Sequence, residues 1–389
     1  MSLTAPPLSL YLHIPWCVKK CPYCDFNSHA QRGALPIEDY VDALLADLER
    51  DLAQAGEAIA GRTLHSVFFG GGTPSLFAPD AIARILDGVA ARIALEPAAE
   101  VTLETNPGTL EHGRFDGYLR AGVNRISIGV QSFDDDKLQR LGRIHNAGEA
   151  DRAVKSAQDA GLANINIDLM YALPQQTLAG ALADITAAIA LRPAHISHYQ
   201  LTLEPNTLFA ARPPKLPDSD AAWDMQEACQ AQLASAGFTQ YEVSAHAAAG
   251  RRCAHNLNYW RFGDYLGIGA GAHGKLSDSA SGRIVRTTKL KTPTSYLDRA
   301  ARREPFGSQS EVAARDLPFE FMMNVLRLNE GVAAASFARH TGLEPGAIDA
   351  LLASARGRGW MVDDPTRIAA TALGQRYLND VIELFLPEA

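Results

Sequence analysis

Basic charge is scarce in this 389-residue chain: 36 lysines and arginines stand against 44 aspartates and glutamates, a net charge of -8. No basic field gathers nucleic acid. Long apolar runs are missing as well. The longest helical one, LAGALADITAAIAL (Leu178 to Leu191), is too short to span a bilayer and carries Asp184. The opening MSLTAPPLSL has neither the basic start nor the apolar stretch of a signal peptide. These absences lead to the expectation of a cytoplasmic protein. Cysteines number only five, odd and few, which in a reducing compartment argues against a disulfide framework. Internal repeats, low-complexity segments and long charge runs are also missing. What remains is ordinary for a folded chain, 47% hydrophobic and 21% charged, with room for about two domains.

The first two-thirds alternates strand-like and helix-like segments. SLYLHIP (Ser9 to Pro15) is a short apolar run, and IEDYVDALLADLERDLAQAG follows with helical periodicity. SVFF (Ser66 to Phe69), EVTLET (Glu100 to Thr105), RISIGV (Arg125 to Val130), NINIDLM (Asn164 to Met170) and HISHYQLTL (His195 to Leu203) repeat the strand pattern. Helical segments separate them, and another follows around Trp223. This alternation predicts βαβ units on a parallel sheet. Six units are two short of a closed eight-stranded barrel. The expected fold is therefore α/β with a partial barrel, and a doubly wound open sheet is the second choice.

The pattern changes after about Gly237. QYEVSAH is expected as one more strand, and RRCAHNLNYWRFGDYLGIGAGAHGK (Arg251 to Lys275) as a loop. Helices are expected from Glu311 to Leu328, Ala333 to His340, Pro345 to Arg356 and Ala372 to Phe385. WMVDDPTRIAAT reads as a hairpin turning at Asp363, Asp364 and Pro365. Together these suggest a winged-helix-like module, whose acidic balance favours packing or a partner over DNA. The expected boundaries are 1–240 for the barrel, 241–305 for a connecting segment and 306–389 for the module.

Unusual residues sit just after the strands. Cysteines follow the first, GGGTPS the second, and Glu104 ends the third before TNPG. Gln131 follows the fourth, and Asp168 lies in the fifth. Parallel α/β folds place their sites at the carboxyl ends of strands, so five segments should converge on one mouth.

CVKKCPYC carries Cys17, Cys21 and Cys24 as C-x3-C-x2-C. A structural zinc site wants four protein ligands, and His13 or His29 would supply the fourth. A 4Fe-4S cluster held by three thiolates keeps one iron open for another ligand. Both readings stand on spacing alone.

The surrounding sequence resembles the cluster motif of the radical S-adenosylmethionine (SAM) superfamily. The resemblance implies a partial (β/α)6 barrel and a 4Fe-4S cluster whose open iron binds the amino and carboxylate groups of SAM. One electron then cleaves SAM to a 5′-deoxyadenosyl radical. It implies roles for matching residues. Gly70, Gly71, Gly72, Thr73 and Pro74 resemble the glycine motif that meets the methionine amino group. Glu104 would accept from the SAM ammonium, and Arg143 in LGRIH would pair with the SAM carboxylate. Gln131 and Asp168 would take the ribose hydroxyls, and Tyr11 would lie near the cluster.

The likeness narrows further, and it runs along nearly the whole chain. PWCVKKCPYCDFNSH, FFGGGTPSL, ETNPG, RISIGVQSFDD, LGRIHN and NIDLMYALPQQT resemble the branch holding the oxygen-independent coproporphyrinogen III oxidase and the HemW heme chaperones. The oxidase has a further cysteine two positions after the third, where this chain has Phe26. It also has a long segment ahead of its first strand, for which this sequence leaves no room. HNLNYW (His255 to Trp260) resembles the HNxxYW motif associated with heme binding in HemW proteins. His255 is the expected axial ligand, with Tyr259 and Trp260 stacking on the porphyrin. His246, His273 and Cys253 are rivals, and Cys229 is expected in the core. The resemblance thus implies a cytoplasmic heme chaperone with SAM, 4Fe-4S cluster and heme as cofactors. Its partners would be apo-haemoproteins such as respiratory cytochromes, with peripheral contact at the inner membrane, and it admits a homodimer. It leaves open whether the chain is an enzyme that cleaves SAM. The alternatives are the oxidase itself, a zinc-stabilised nucleic-acid module and a radical SAM enzyme with an unrelated substrate.

Overall fold

A computed structural model describes residues 3–109 and 114–387. Six strands form in the expected series: β1 (Leu8–Ile14), β2 (Leu64–Gly71), β3 (Leu95–Thr105), β4 (Arg125–Gln131), β5 (Ile165–Tyr171) and β6 (His195–Gln200). They lie side by side in chain order, all parallel. Between and after them run helices α1 (Ile37–Ala55), α2 (Pro79–Ala90), α3 (Arg114–Arg120), α4 (Ala147–Asp159), α5 (Leu178–Ala190) and α6 (Ser219–Ser235). The neighbour order of the sheet is linear, so the barrel stays open.

Period-two patterning decides which way each strand faces. Leu8, Leu10, Leu12 and Ile14 of β1, Val67 and Phe69 of β2, and Ile126, Ile128 and Val130 of β4 are buried in the main apolar core. The intervening positions are mostly polar or small, with Phe68 the exception among those named. They are Ser9, Tyr11 and His13 on β1, Ser66, Phe68 and Gly70 on β2, and Glu100, Thr102 and Glu104 on β3. Arg125, Ser127, Gly129 and Gln131 follow on β4, Asn166 and Asp168 on β5, and His195, Ser197 and Tyr199 on β6. The strand register sets Ser9 beside Ser66, Tyr11 beside Phe68, and Ser127 beside Asn166. The second set lines the barrel lumen.

The sheet has twelve strands. QYEVSAH forms two short strands rather than one, β7 (Thr239–Glu242) and β8 (Ala245–Ala247), folded back antiparallel beside β6. The stretch expected as a loop is largely regular. It holds helix α7 (Ala254–Trp260), strand β9 (Asp264–Ile268) parallel to β1, and the start of β10 (His273–Asp278). Glycine content hid the strand. At Gly267 a Cβ would sit 1.8 Å from the His273 carbonyl oxygen, so this close approach admits no side chain. β11 (Arg283–Lys289), helix α8 (Pro293–Arg302) and β12 (Gly307–Glu311) complete this side. Residues 241–305 contribute strands to the sheet.

Buried ion clusters fasten this extension. Lys275 Nζ is 2.8 Å and Arg62 2.9 Å from the Asp264 carboxylate, whose side chain is fully buried. Lys289 Nζ bridges Asp47 at 2.6 Å and Asp51 at 2.5 Å, both on α1.

A second apolar core gathers Leu3, Phe262, Ile284, Phe321, Phe337, Leu352 and Val381. It belongs to the winged-helix-like module of α9 (Leu317–Val325), α10 (Ala335–Thr341) and α11 (Asp349–Gly357). Val332–Ala333 pairs with Arg367–Ile368, and Met361 bridges Ala370 across the expected hairpin. Glu311 ends β12, so the first helix begins later than the sequence suggests. The last one is two short helices, Ala372–Arg376 and Leu378–Glu383, broken at Tyr377.

Candidate functional site

The cysteine loop leaves β1 at the mouth of the barrel. Cys17, Cys21 and Cys24 are all free thiols, each partly exposed. The loop is pinned from several sides. His13 Nε2 meets the Asn27 carbonyl at 2.9 Å, and Asn27 donates to Ala270 O and Lys291 O, both at 2.8 Å. His13 Nδ1 accepts the Tyr11 hydroxyl at 3.0 Å. Both ring nitrogens are therefore engaged, which removes His13 as the fourth ligand of a zinc ion. Among the described residues no three His, Cys, Asp or Glu side chains stand together as ligands of a single ion. Thiolates that each bind a different iron of one cluster do not need to.

The glycine loop after β2 lies against this segment. Gly72 N–H donates to Ile14 O at 2.8 Å and Thr73 N–H to Trp16 O at 2.7 Å. At Gly72 a Cβ would fall 2.5 Å from Trp16 O, and at Gly71, where φ is +110°, 2.6 Å from the His13 ring. Only glycine fits these two positions. The Thr73 hydroxyl hydrogen-bonds Cys17, whose thiol burial pushes up. Gly70 is crowded as well. A Cβ there would come 3.0 Å from the Tyr11 ring and 3.2 Å from Glu104 Oε2.

The expected SAM contacts gather beside this loop. Burial pushes the Glu104 carboxyl up to about 8, with the Asp168 charge adding and the Gly71 N–H opposing. Burial also raises Asp168, which accepts from Ser127 Oγ at 2.9 Å and Asn166 Nδ2 at 2.8 Å. Gln131, in the left-handed region at φ 70°, accepts the Tyr199 hydroxyl at 2.8 Å. Arg143 Nη2 donates to Gly129 O at 2.6 Å and Nη1 lies 3.6 Å from Cys21 Sγ, while its buried Nε has no partner. Burial works against the Arg143 charge, but Tyr23 and Cys21 outweigh it and keep the guanidinium protonated. An orphaned guanidinium N–H beside a thiol, a carboxyl wanting a cation, and a glycine cradle suit an amino-acid moiety bound next to a cluster. Sequence reasoning missed Gly129, Ser127, Asn166 and Tyr199. Their alternation along β4, β5 and β6 was the available signal.

His255 lies elsewhere in the lumen, on α7. Its ring is stacked on Phe68 at 5.0 Å and flanked by Tyr259 at 5.2 Å and Tyr11 at 6.4 Å. Polar contacts run from it to the start of β1. His65 Nδ1 donates to Leu8 O at 2.9 Å, and its Nε2 lies 3.5 Å from Ser9 Oγ. Ser9 Oγ hydrogen-bonds Ser66 Oγ at 2.8 Å, and Ser66 Oγ hydrogen-bonds His255 Nδ1 at 3.1 Å. His255 Nε2 has no partner. Burial, then His65 and Arg125, pull its pKa down to about 3, so the ring stays neutral.

The rivals differ. His246 is buried with neither ring nitrogen bonded, and burial lowers it to about 4. His273 is exposed and bonds Thr288 at 3.3 Å. Cys253 is buried 3.4 Å from Glu100, and burial raises it to about 12. Cys229 is fully buried in the core, as expected. Tyr259 and Trp260 do not form a joint flat face. Tyr259 packs on Tyr265 at 4.2 Å, and Arg327 covers the Trp260 ring at 4.3 Å.

Comparison with known proteins agrees with this geometry. The sequence model of the radical SAM superfamily matches residues 11–185, and that of the HemN C-terminal domain matches 312–377. The chain is 54% identical over 383 residues to the heme chaperone HemW of Haemophilus influenzae, covering 98% of this chain and 99% of that one. HemW of Escherichia coli is 53% identical over the same shares, and HemW of Bacillus subtilis is 32% identical over 389 residues, 98% of this chain and 99% of its own. Among solved structures, coproporphyrinogen III oxidase (HemN) from Escherichia coli matches with a TM-score of 0.82 at 23% identity. That match covers 98% of this chain and 90% of HemN, and it shows a shared fold. Radical SAM membership implies a 4Fe-4S cluster and SAM. The chain belongs to the radical SAM superfamily and, within it, to the HemW family.

Proposed function

We propose that the protein is a heme chaperone: it binds heme through His255 and passes it to apo-haemoproteins such as respiratory cytochromes. The observation that carries this reading is the state of His255. Its Nδ1 is engaged by Ser66 Oγ and its buried Nε2 has no partner, so Nε2 is the ring nitrogen available to iron. The full-length kinship with HemW proteins supports it. In this reading Cys17, Cys21 and Cys24 hold three irons of the cluster. Gly71, Gly72 and Thr73 shape the loop beside it, and Glu104 and Arg143 receive the SAM ammonium and carboxylate. Gln131 and Asp168 bind the ribose, while Tyr11 orients His13 beneath the loop. When bound, the cluster supplies an open iron and one electron. The protein's own groups hold charge and exclude water around them.

Among the described residues no helix is long and apolar enough to cross a membrane. Delivery to membrane cytochromes would then be peripheral at the inner membrane, from the cytoplasm, with a homodimer as a further part of the proposal. Phe26, 62% exposed, stands where the oxidase resemblance calls for a cysteine, so decarboxylation of coproporphyrinogen is not expected.

Anaerobically reconstituted protein should give a saturable Soret shift at about one heme per chain, one axial histidine serving one iron. His255→Ala should abolish it. Saturable binding that survives in the variant would reject His255 as ligand, and no saturable binding in the wild type would reject the chaperone reading.

A further inference from the structure

The lumen between Asp168 and His255 is filled by one continuous hydrogen-bonded column. Asn166 Nδ2 donates to Asp168 Oδ1 at 2.8 Å and to Ser127 Oγ at 2.7 Å. Both amide hydrogens are thereby used, so Asn166 Oδ1 is an acceptor. It takes His195 Nδ1–H at 2.6 Å and the Ser197 hydroxyl at 3.1 Å. His195 Nε2 must then accept, and it receives the Tyr241 hydroxyl at 2.9 Å. The Tyr241 oxygen in turn accepts the Cys253 backbone N–H at 3.2 Å. Glu100 Oε1 closes the line, accepting Cys253 Sγ–H at 3.4 Å and His255 N–H at 3.2 Å. From the Cys253 N–H to Asp168 every hydrogen bond points the same way, and Glu100 then ties Cys253 to His255 by accepting from both. The column ends on Cys253, which caps α7, and on His255 in its first turn.

α7 is the element that must rearrange if heme is to reach His255. The His255 ring is 2% exposed and enclosed by Phe68, Tyr259 and Tyr11. A porphyrin needs a broad accessible face, which the docked helix does not offer.

We infer that SAM at Asp168 and heme at His255 oppose one another through this column, with His195, Tyr241 and Glu100 as positioning residues. The inference rests on the heme-chaperone reading. Ribose hydroxyls on Asp168 favour its charged form, which pulls harder on Asn166. Hydrogen bonds in a low-dielectric chain polarise one another, so His195, Tyr241 and the Cys253 N–H are drawn tighter in sequence. Docked α7 gains, and the heme-competent arrangement loses. By linkage, heme weakens SAM binding by the same factor. SAM would then act as the signal that loosens heme for delivery.

The test is a heme titration of cluster-bearing protein with and without saturating SAM, alongside hydrogen–deuterium exchange of the amides from Cys253 to Trp260. Wild type should show a heme Kd raised roughly 5-fold or more by SAM, and slower exchange in α7. Tyr241→Phe lacks the hydroxyl that joins His195 to Cys253. It should bind both ligands with neither effect. A wild-type heme Kd that SAM leaves unchanged overturns the coupling while heme binding stands. A SAM effect that persists in Tyr241→Phe means direct competition for the lumen and overturns the column. If wild type binds no heme saturably, the chaperone reading fails instead. Exchange in α7 on adding SAM alone still decides the column: slowing supports it, no change overturns it.

Discussion

Glu104 is a carboxyl group kept where its charge is unwelcome. Burial and the neighbouring Asp168 raise it from an ordinary 4.5 to about 8. Between those values the native state keeps a proton that the unfolded chain has lost. Stability from this group is therefore full below about pH 4.5 and is lost as pH rises toward 8. Glu104→Gln keeps the shape and cannot titrate. Its stability advantage over the wild type, read by urea unfolding of the cluster-bearing protein without SAM, should grow from pH 5 to pH 8. The ceiling is roughly 1.4 kcal/mol per pH unit. An advantage equal at both pH values would show that Glu104 titrates normally. The same variant should lose SAM affinity, because a neutral amide gives the ammonium no charge to meet. His255 is the opposite case, a base that burial holds neutral down to about pH 3, so the nitrogen proposed to bind iron is free of a second proton across the physiological range.

Among the elements, β9 and β10 carry the barrel outward to the C-terminal module, and a buried ion cluster holds them. Asp264 accepts Lys275 Nζ at 2.8 Å, Ser277 Oγ at 2.9 Å and Arg62 at 2.9 Å. Asp264→Ala leaves Lys275, 2% exposed, as an uncompensated buried cation. It should cost about 3–5 kcal/mol of unfolding free energy. Arg84→Ala removes a partner of the exposed Glu38 and Asp42 and should cost no more than about 1 kcal/mol. Equal costs in chemical denaturation would contradict this account. The six barrel strands were legible because their apolar residues recur at period two between amphipathic helices. β9 was not, because DYLGIGAGAHG reads as loop chemistry. Its glycines serve close approach, as at Gly267, rather than turns. α7 was missed for a related reason. Its seven residues are too few to show helical periodicity, and they are held by contacts from Glu100 and Ser66 far away in sequence.

At the scale of the whole molecule, the two proposed ligand regions share one lumen. The upper region was largely readable, since its residues sit at strand ends where parallel folds place their chemistry. Cys17, Gly71, Glu104, Gln131 and Asp168 all lie there. The layers below were not. Ser127, Asn166, His195 and Tyr241 come from four strands, and only the register brings them together. His255 was found from its motif, but its enclosure depends on packing that no local pattern encodes. The account's central claim is that this lumen stores heme for another protein. The most direct measurement is transfer: heme-loaded protein is mixed with a purified apo-b-type cytochrome, and the recipient's reduced spectrum is followed against the His255→Ala variant. The account predicts stoichiometric formation of holo-cytochrome from the wild type and none beyond the free-heme control from the variant. Heme that stays on the wild-type protein, or reaches the cytochrome no faster than free heme does, would contradict it.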